Sequence, residues 1–424
     1  MGSRFPTWME DGVTLANIVK LSLAGCKMCV KLPPVWQLPF LEVLRLKQMN
    51  RLKYLCSKFS DKECGHQILA FPKLKLLSLY QMESLEQWQD LEHGVEQVRP
   101  VTFPELDAME VIDCPNLTFL PNVPMIKLLS VTGNKVLLNL ALRSSWRART
   151  LCYSYDGGRE GSTDTKEEHI LPKHLLSWGS LTKLHLQGFN TPAPENVKSR
   201  SGHMMSVQDL VLSSCDCFVQ HEGLQSPLWF WKSFGCLQQL EIRYCDSLTF
   251  WPEEEIRSLT SLEKLFIVDC KNFTGVHLTD CQQGPLQMEA HIDRCPNLVV
   301  FPTNFICLRI LVITDSNVLE GLPGGFGCQG TLTTLVILGC PSFSSLPASI
   351  RCLSNLKSLE LANCPALARR CRRGGDYWEK VKDIPDLRVT SEPRPVWQDA
   401  ARTIIPKCMN AWQRRASSSG QPDN

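Results

Sequence analysis

The sequence predicts an α/β-type repeat solenoid, in which short strands build one concave parallel sheet and mostly irregular connections form the convex side. Three observations carry this. First, the phrase Leu-x-x-Leu-x-Leu-x-x-Cys recurs, most clearly at Leu237–Cys245, Leu262–Cys270, Leu332–Cys340 and Leu356–Cys364. Second, its cysteines keep step: 25 residues separate Cys245 from Cys270 and Cys270 from Cys295, and 24 separate Cys340 from Cys364. Third, an apolar residue and Leu-Pro often follow. A fixed period in the twenties with this spacing is the leucine-rich-repeat signature.

The phrase has a simple physical content. Its Leu-x-Leu core has period two, so both leucines of a short strand point the same way, into the solenoid. The residue three beyond the second leucine enters the interior as the chain turns away, and a small side chain suits it. No repeat can bury its leucines alone, so neighbours must stack with one strand each.

About thirteen registers follow, starting at Ile18, Leu41, Leu74, Leu106, Ile126, Leu181, Val207, Leu237, Leu262, Gln287, Leu308, Leu332 and Leu356. Met49, Met82 and Ser316 stand where Cys is expected, and Gln287 is a polar break. Pro33, Pro121, Pro252, Pro302, Pro323 and Pro347 lie in the connections and keep helix content low. The phrase fails from Lys135 to Ser177, which includes the polar run 155–168. The expected organisation is a first repeat block over 1–135, a polar insertion or decayed repeat over 136–176, and a second block over 177–368. A cap over 369–390 and a disordered tail over 391–424 complete it.

Composition narrows the function. Net charge is +2 with 43% hydrophobic residues, so neither a nucleic-acid footprint nor an acidic tail dominates. There is no apolar run of eighteen or more residues and no hydrophobic signal core in residues 1–14, so neither membrane insertion nor secretion is expected. Twenty cysteines invite a zinc or disulfide reading. Eight of them (Cys26, Cys114, Cys215, Cys245, Cys270, Cys295, Cys340, Cys364) share one repeat position, which explains them as small buried residues. Cys26-x-x-Cys29 is half a zinc motif without a second pair at a suitable distance, and Cys56, Cys64 and His66 make a weak set. P-loop, metalloprotease and Gly-x-Ser-x-Gly hydrolase motifs are absent from the sequence, and no Gly-x-Gly-x-x-Gly stands after a strand. His291, between Glu289 and Asp293 in one strand, is the nearest approach to an acid–base group, and reads as surface. Binding, not catalysis, is expected.

Two stretches carry a family resemblance. Phe5-Pro-Thr-Trp8-Met9, followed by Leu32-Pro-Pro34-x-x-Gln37-Leu38-Pro39-x-Leu41-x-x-Leu44, resembles the repeat region of plant intracellular disease-resistance receptors of the nucleotide-binding, leucine-rich-repeat type (NLR). The ending Cys364-Pro-Ala-Leu-Ala-Arg-Arg-Cys371-x-x-Gly374-Gly375-Asp-Tyr-Trp378-x-Lys380-x-x-x-Ile384-Pro385 is similar to the segment closing such proteins. The resemblance implies a defence role in the cytoplasm or nucleus. It also implies protein partners: a pathogen effector, a host guardee, or the NB-ARC switch domain in cis or in trans. The coiled-coil or TIR segment and the ADP/ATP-binding domain of that family have no counterpart in these residues, so no cofactor is expected. The rival is an intracellular repeat scaffold, or a ubiquitin-ligase substrate receptor, without an immune role. For the latter, residues 1–17 are too few for an F-box. An extracellular receptor would show a signal peptide, paired capping cysteines and a near-uniform 24-residue repeat.

Recognition is expected on the exposed face of the sheet, where residues flanking the core leucines alternate outward. Read so, the candidates are Arg45, Lys47, Tyr80, Lys183, His185, Glu241, Arg243, Lys264, Phe266, His291, Val336 and Leu338. Lys20, Gln239, Glu289, Asp293 and Val312 share that face. Arg243 and Phe266, on adjacent strands, are the first choice, because interfaces favour arginine and aromatic anchors. Val312, Val336 and Leu338 form an apolar patch beside them.

Overall fold

Leucines two apart, with their intervening side chains turned the other way, produce five-residue strands that bury one face. The computed structural model describes residues 4–9, 14–56, 71–89, 101–144, 146–154, 179–189, 206–219, 228–276, 288–301, 308–324, 326, 330–347, 350 and 354–390. Within these, strands β1 (Lys20–Ala24), β2 (Val43–Lys47), β4 (Leu76–Tyr80), β6 (Ala108–Ile112), β7 (Leu128–Thr132), β8 (Thr150–Ser154), β9 (Lys183–Gln187) and β10 (Asp209–Ser213) lie side by side. They continue through β11 (Gln239–Arg243), β12 (Lys264–Val268), β13 (Met288–Asp293), β14 (Leu308–Thr314), β15 (Thr334–Leu338), β16 (Ser358–Ala362) and β17 (Asp386–Thr390). All fifteen form a single parallel sheet in chain order. Register is held from repeat to repeat: Leu240 stands beside Leu265 and Leu265 beside Ala290. The one irregularity is a shift between Met288 and Glu289. Leu44, Leu77, Leu129, Leu240 and Leu335 are fully buried, as are Ile242, Ile267 and Ile337. This is the leucine-rich-repeat solenoid.

What lets the chain leave thirteen of these fifteen strands is a left-handed residue directly after the strand. Gly25, Gln48, Gln81, Asp113, Gly133, Gly188, Ser214, Tyr244, Asp269, Arg294, Asp315, Gly339 and Asn363 all have positive φ. For a non-glycine residue this conformation costs roughly 1–2 kcal/mol. The backbone recovers part of it, because the N–H groups of this row from Gly25 to Gly339 prolong the sheet ladder: Tyr244 N–H bonds the Val268 carbonyl at 3.1 Å, and Asp315 N–H that of Leu338 at 2.9 Å.

The next position is the inward slot. Cys114, Cys215, Cys245, Cys270, Cys295, Cys340 and Cys364 fill it and are fully buried, as are Met49, Met82 and Ser316, while Cys26 in the first repeat is half-buried. Their thiols donate to the carbonyl two residues back, as from Cys245 to Arg243 (3.3 Å) and from Cys340 to Leu338 (3.4 Å); Ser316 does the same to Thr314 (3.3 Å). Burial pushes the Cys114, Cys215 and Cys295 thiols up to about 12, so they are neutral thiols rather than thiolates. Asn134 takes the slot once. Its amide donates to the Cys114 and Leu117 carbonyls, and its oxygen accepts from Leu137 N–H, capping helix α1 (Lys135–Arg143).

In the stretch where the repeat phrase is lost, the structure places α1 and then β8, with Leu151 in register with Leu129 and Leu184. The repeat phrase is lost here because Ala148 and Tyr153 stand where leucines are usual. The polar run 155–168, the segment 190–203, Cys64, His66 and the tail 391–424 lie outside the described residues.

The convex side is short turns, a two-stranded parallel pair of β3 (Tyr54–Cys56) with β5 (Gln87–Gln89), and brief helices α2 (Leu228–Trp231) and α3 (Glu253–Ser258). Phenylalanines pack beneath it, with Phe71 stacked on Phe103 at 5.6 Å and Phe218 on Phe230 at 4.1 Å. At the far end, helices α4 (Pro365–Cys371) and α5 (Trp378–Val381) precede β17, whose Leu387 and Val389 are only half-buried as the closing row.

Candidate functional site

Register turns the outward residues of each strand into three columns across the sheet. The middle column runs Arg45, Ser78, Glu110, Ser130, Cys152, His185, Val211, Glu241, Phe266, His291, Val312, Val336 and Glu360 from β2 to β16. Its chemistry changes along the solenoid.

At the amino-terminal end the face is cationic. Arg45 and Lys47 are exposed, and the Lys47 ammonium lies 4.8 Å from the centre of the Tyr80 ring. Burial raises the Glu110 carboxyl, against a smaller lowering by Ser78 and Arg45.

Over β7 to β9 the face is a small polar depression lined by Ser130, Thr132, Cys152, Ser154, His185 and Gln187, with Tyr153 behind. Lys183 is exposed at its border and pairs with Asp209 at 2.5 Å. His185 is only 7% exposed; desolvation, helped by the nearby Arg243 charge, lowers it to about 3, so it is neutral. Next comes a closed ion pair on β11, where Arg243 Nε donates to Glu241 Oε1 at 2.6 Å. Glu241 is 3% and Arg243 7% exposed. Burial raises the Glu241 carboxyl and Arg243 opposes that rise.

Beyond β11 the face is aromatic and apolar, bordered by charge. Phe266 stacks on His291 with centroids 4.5 Å apart and planes 18° apart. Desolvation lowers His291 to about 4, with Glu289 opposing and Lys264 assisting. Glu289 sits between Lys264 (3.5 Å) and Arg309. Val312 and Val336 continue the column, with Leu338 beside Thr314; all three valine and leucine side chains are half-buried. Along the strand exits Arg294 grips Asp269 with two bonds of 2.7 Å and also pairs with Asp293.

The alternation therefore placed all twelve candidates on one face, but the expectation that they are open to solvent needs correcting. His185, Glu241 and Arg243 are buried. Strands about 4.8 Å apart bring neighbouring columns into contact, and Arg243 turns back along its own strand onto Glu241. Arg243 is thus a partner of Glu241 before it can be an anchor for anything else. Arg45, Lys47 and Lys183 are exposed, while Tyr80, Lys264, Phe266, His291, Val336 and Leu338 are half-buried. Sequence reasoning passed over the strand-exit row of Tyr244, Asp269, Arg294 and Asp315. Its signal was present: the residue before the inward slot is Gly, Asp or Asn in most repeats.

Among the described residues, no group of three or more His, Cys, Asp or Glu is placed to hold a metal ion. No helix among them is long and apolar enough to cross a membrane.

A family model described as R13L1/DRL21 LRRs matches residues 1–49. The chain is 31% identical over 118 residues to "Putative disease resistance protein At3g14460" of Arabidopsis thaliana, covering 27% of this chain and 8% of that protein. It is 33% identical over 139 residues to "Putative disease resistance protein RGA4" of Solanum bulbocastanum, covering 31% and 13% respectively. It is also 33% identical over 137 residues to "Disease resistance protein RGA2" of the same plant, covering 32% and 13%. The matched part thus spans 8% to 13% of the length of these relatives. Repeat phase, sheet architecture and these likenesses together identify the chain as a leucine-rich-repeat solenoid related to the repeat region of plant disease-resistance proteins.

Proposed function

We propose that this chain is a non-catalytic protein-recognition module of plant defence, presenting the open face of its sheet to a protein partner in the cytoplasm or nucleus. The observation that supports this is the continuous register of fifteen strands, which displays charged, polar and aromatic zones side by side on one surface. Such a mosaic suits a protein surface, whose affinity comes from a few anchors within a complementary rim. In a disease-resistance receptor the partner would be a pathogen effector or a host guardee, and the same repeats would hold an ADP/ATP switch domain closed. The chain itself takes no nucleotide in this reading. Calorimetric titration with ADP and magnesium should give no heat of binding, and micromolar affinity would overturn that part.

The recognition surface is tested by capture of candidate effectors or guarded host proteins. Lys47→Glu with Phe266→Ser changes one exposed and one half-buried residue of the face and should weaken capture about tenfold or more, as hot-spot residues do. If capture is unchanged while deletion of residues 155–168 abolishes it, the open face is not the recognition surface.

A further inference from the structure

The cap after β16 carries a charge excess that sealing the last repeat does not need. Residues 365–390 hold seven Lys and Arg against four Asp and Glu, a surplus of +3 in a chain whose total is +2. Four of the seven are packed into five positions: Arg369, Arg370, Arg372 and Arg373. Arg370 works inside the cap. Its guanidinium lies 3.9 Å from the centre of the Tyr377 ring and donates to the Ser344 carbonyl at 2.9 Å. Arg369, Arg372, Arg373 and Lys382 are exposed. Cations in the last turn of α4 are favoured by the helix dipole, which accounts for Arg369 and Arg370 but not for the two arginines beyond the helix end.

The arginines are also held in place. Gly375 N–H bonds the Arg372 carbonyl (2.9 Å), Tyr377 N–H that of Arg370 (2.9 Å) and Trp378 N–H that of Gly375 (3.1 Å). A Cβ at Gly375 would lie 2.4 Å from the Arg370 carbonyl oxygen and 2.6 Å from that of Arg369, so only glycine lets the loop fold this tightly onto α4. Arg373 sits 5.8 Å from the centre of the half-buried Trp378 ring. The result is a tightly folded backbone that gathers the arginines on one loop, with Arg373 beside the indole of Trp378.

We propose that this end of the solenoid docks peripherally on an anionic, phosphate-bearing lipid surface. Exposed single ion pairs contribute little, so one free phosphate would gain little here. A charged bilayer engages every cation together, each worth about a fivefold gain in partition. Tryptophan is enriched at the bilayer interface, where its amphipathic ring sits at headgroup level, and Trp378 stands beside Arg373. Docking of this kind leaves the open face of the sheet available to a protein partner.

The test is co-sedimentation of the full chain with phosphatidylcholine vesicles with and without phosphatidylserine. Binding is expected only with phosphatidylserine, and should vanish at about 1 M salt, where the screening length falls to about 3 Å. The variant R369Q/R373Q should lower the partition coefficient roughly 25-fold. R369K/R373K should restore most of it, which separates lost charge from lost folding. K53Q/K271Q removes the same charge elsewhere on the solenoid and should stay within about twofold of wild type. The proposal is overturned by any of four results: no binding to phosphatidylserine vesicles, equal loss in R369Q/R373Q and K53Q/K271Q, displacement by inorganic phosphate at constant ionic strength, or capture by polyglutamate beads with none by vesicles. The last would assign the patch to an acidic protein segment.

Discussion

Acidification should weaken this solenoid through two histidines of the sheet face, and the size of the effect follows from their surroundings. Desolvation, with a smaller contribution from the Arg243 charge, lowers His185 from 6.5 to about 3, and desolvation against Phe266, opposed by Glu289 and assisted by Lys264, lowers His291 from 6.5 to about 4. A folded-state value below the unfolded one means that the unfolded chain binds the proton first. Stability from each histidine is therefore complete above about pH 6.5 and is lost as pH falls toward 4 and 3. At pH 4.5 the difference amounts to roughly 2–3 kcal/mol for His185. For His291 screening at the half-buried ring leaves roughly 1–2 kcal/mol. Glu110, Glu241 and Asp293 work in the opposite sense, since burial raises each carboxyl and the folded state takes up their protons first. The histidine share must therefore be isolated by substitution. Urea midpoints of wild type and of the double variant His185→Gln, His291→Gln should be compared at pH 7.5, 6.5, 5.5 and 4.5. Whatever its stability at neutral pH, the variant should show a flatter decline, with about 4 kcal/mol less loss over the range. Parallel curves for the two proteins would refute the reasoning.

Three further outcomes can be checked by the same denaturation assay. Glu241→Gln leaves Arg243 charged and buried, and should cost about 3–5 kcal/mol, whereas replacing both by apolar residues of similar volume should restore most of it; equal losses in the single and double variants would contradict a closed pair. Gly339→Ala should cost about 1–2 kcal/mol, because Gly339 has φ +64° and a Cβ there would approach Asp315 Oδ1 to 2.1 Å; an unchanged midpoint would show that the strand exit tolerates side chains more freely than the left-handed row implies. Cys270→Ser should cost only about 1 kcal/mol, since serine fills the equivalent slot at Ser316 and bonds the same carbonyl, and Cys270 in the native protein should resist thiol reagents until unfolding.

The fold was legible because its determinants are local and repeated. A Leu-x-Leu pair followed three residues later by a small side chain has one use, and stacking such units allows one sheet. Even so, one strand carried no clear sign: in the repeat of β8 Ala148 and Tyr153 replace leucines, and the neighbouring rows Leu129 and Leu184 hold it in register. β17 was legible as an extended segment from Asp386-Leu-Arg-Val389, and its Leu387 and Val389 are half-buried as the closing row. The strand-exit row was half visible: glycine, aspartate and asparagine announce a left-handed residue, but Tyr244, Arg294, Gln48 and Gln81 do not.

For the candidate site, the sequence by itself determined which side chains share the open face, because period two in a strand leaves no choice of side. It could not determine which of them meet the solvent. That depends on what stands one strand away, and neighbouring strands come from residues 20 to 33 positions apart in sequence. Only the assembled sheet sets Phe266 against His291, Arg294 against Asp269 and the Arg243 charge near His185, while the Arg243–Glu241 pair closes within β11 and is buried by the strands on either side. Burial of these groups is a property of packing between repeats, whereas facing is a property of the single strand.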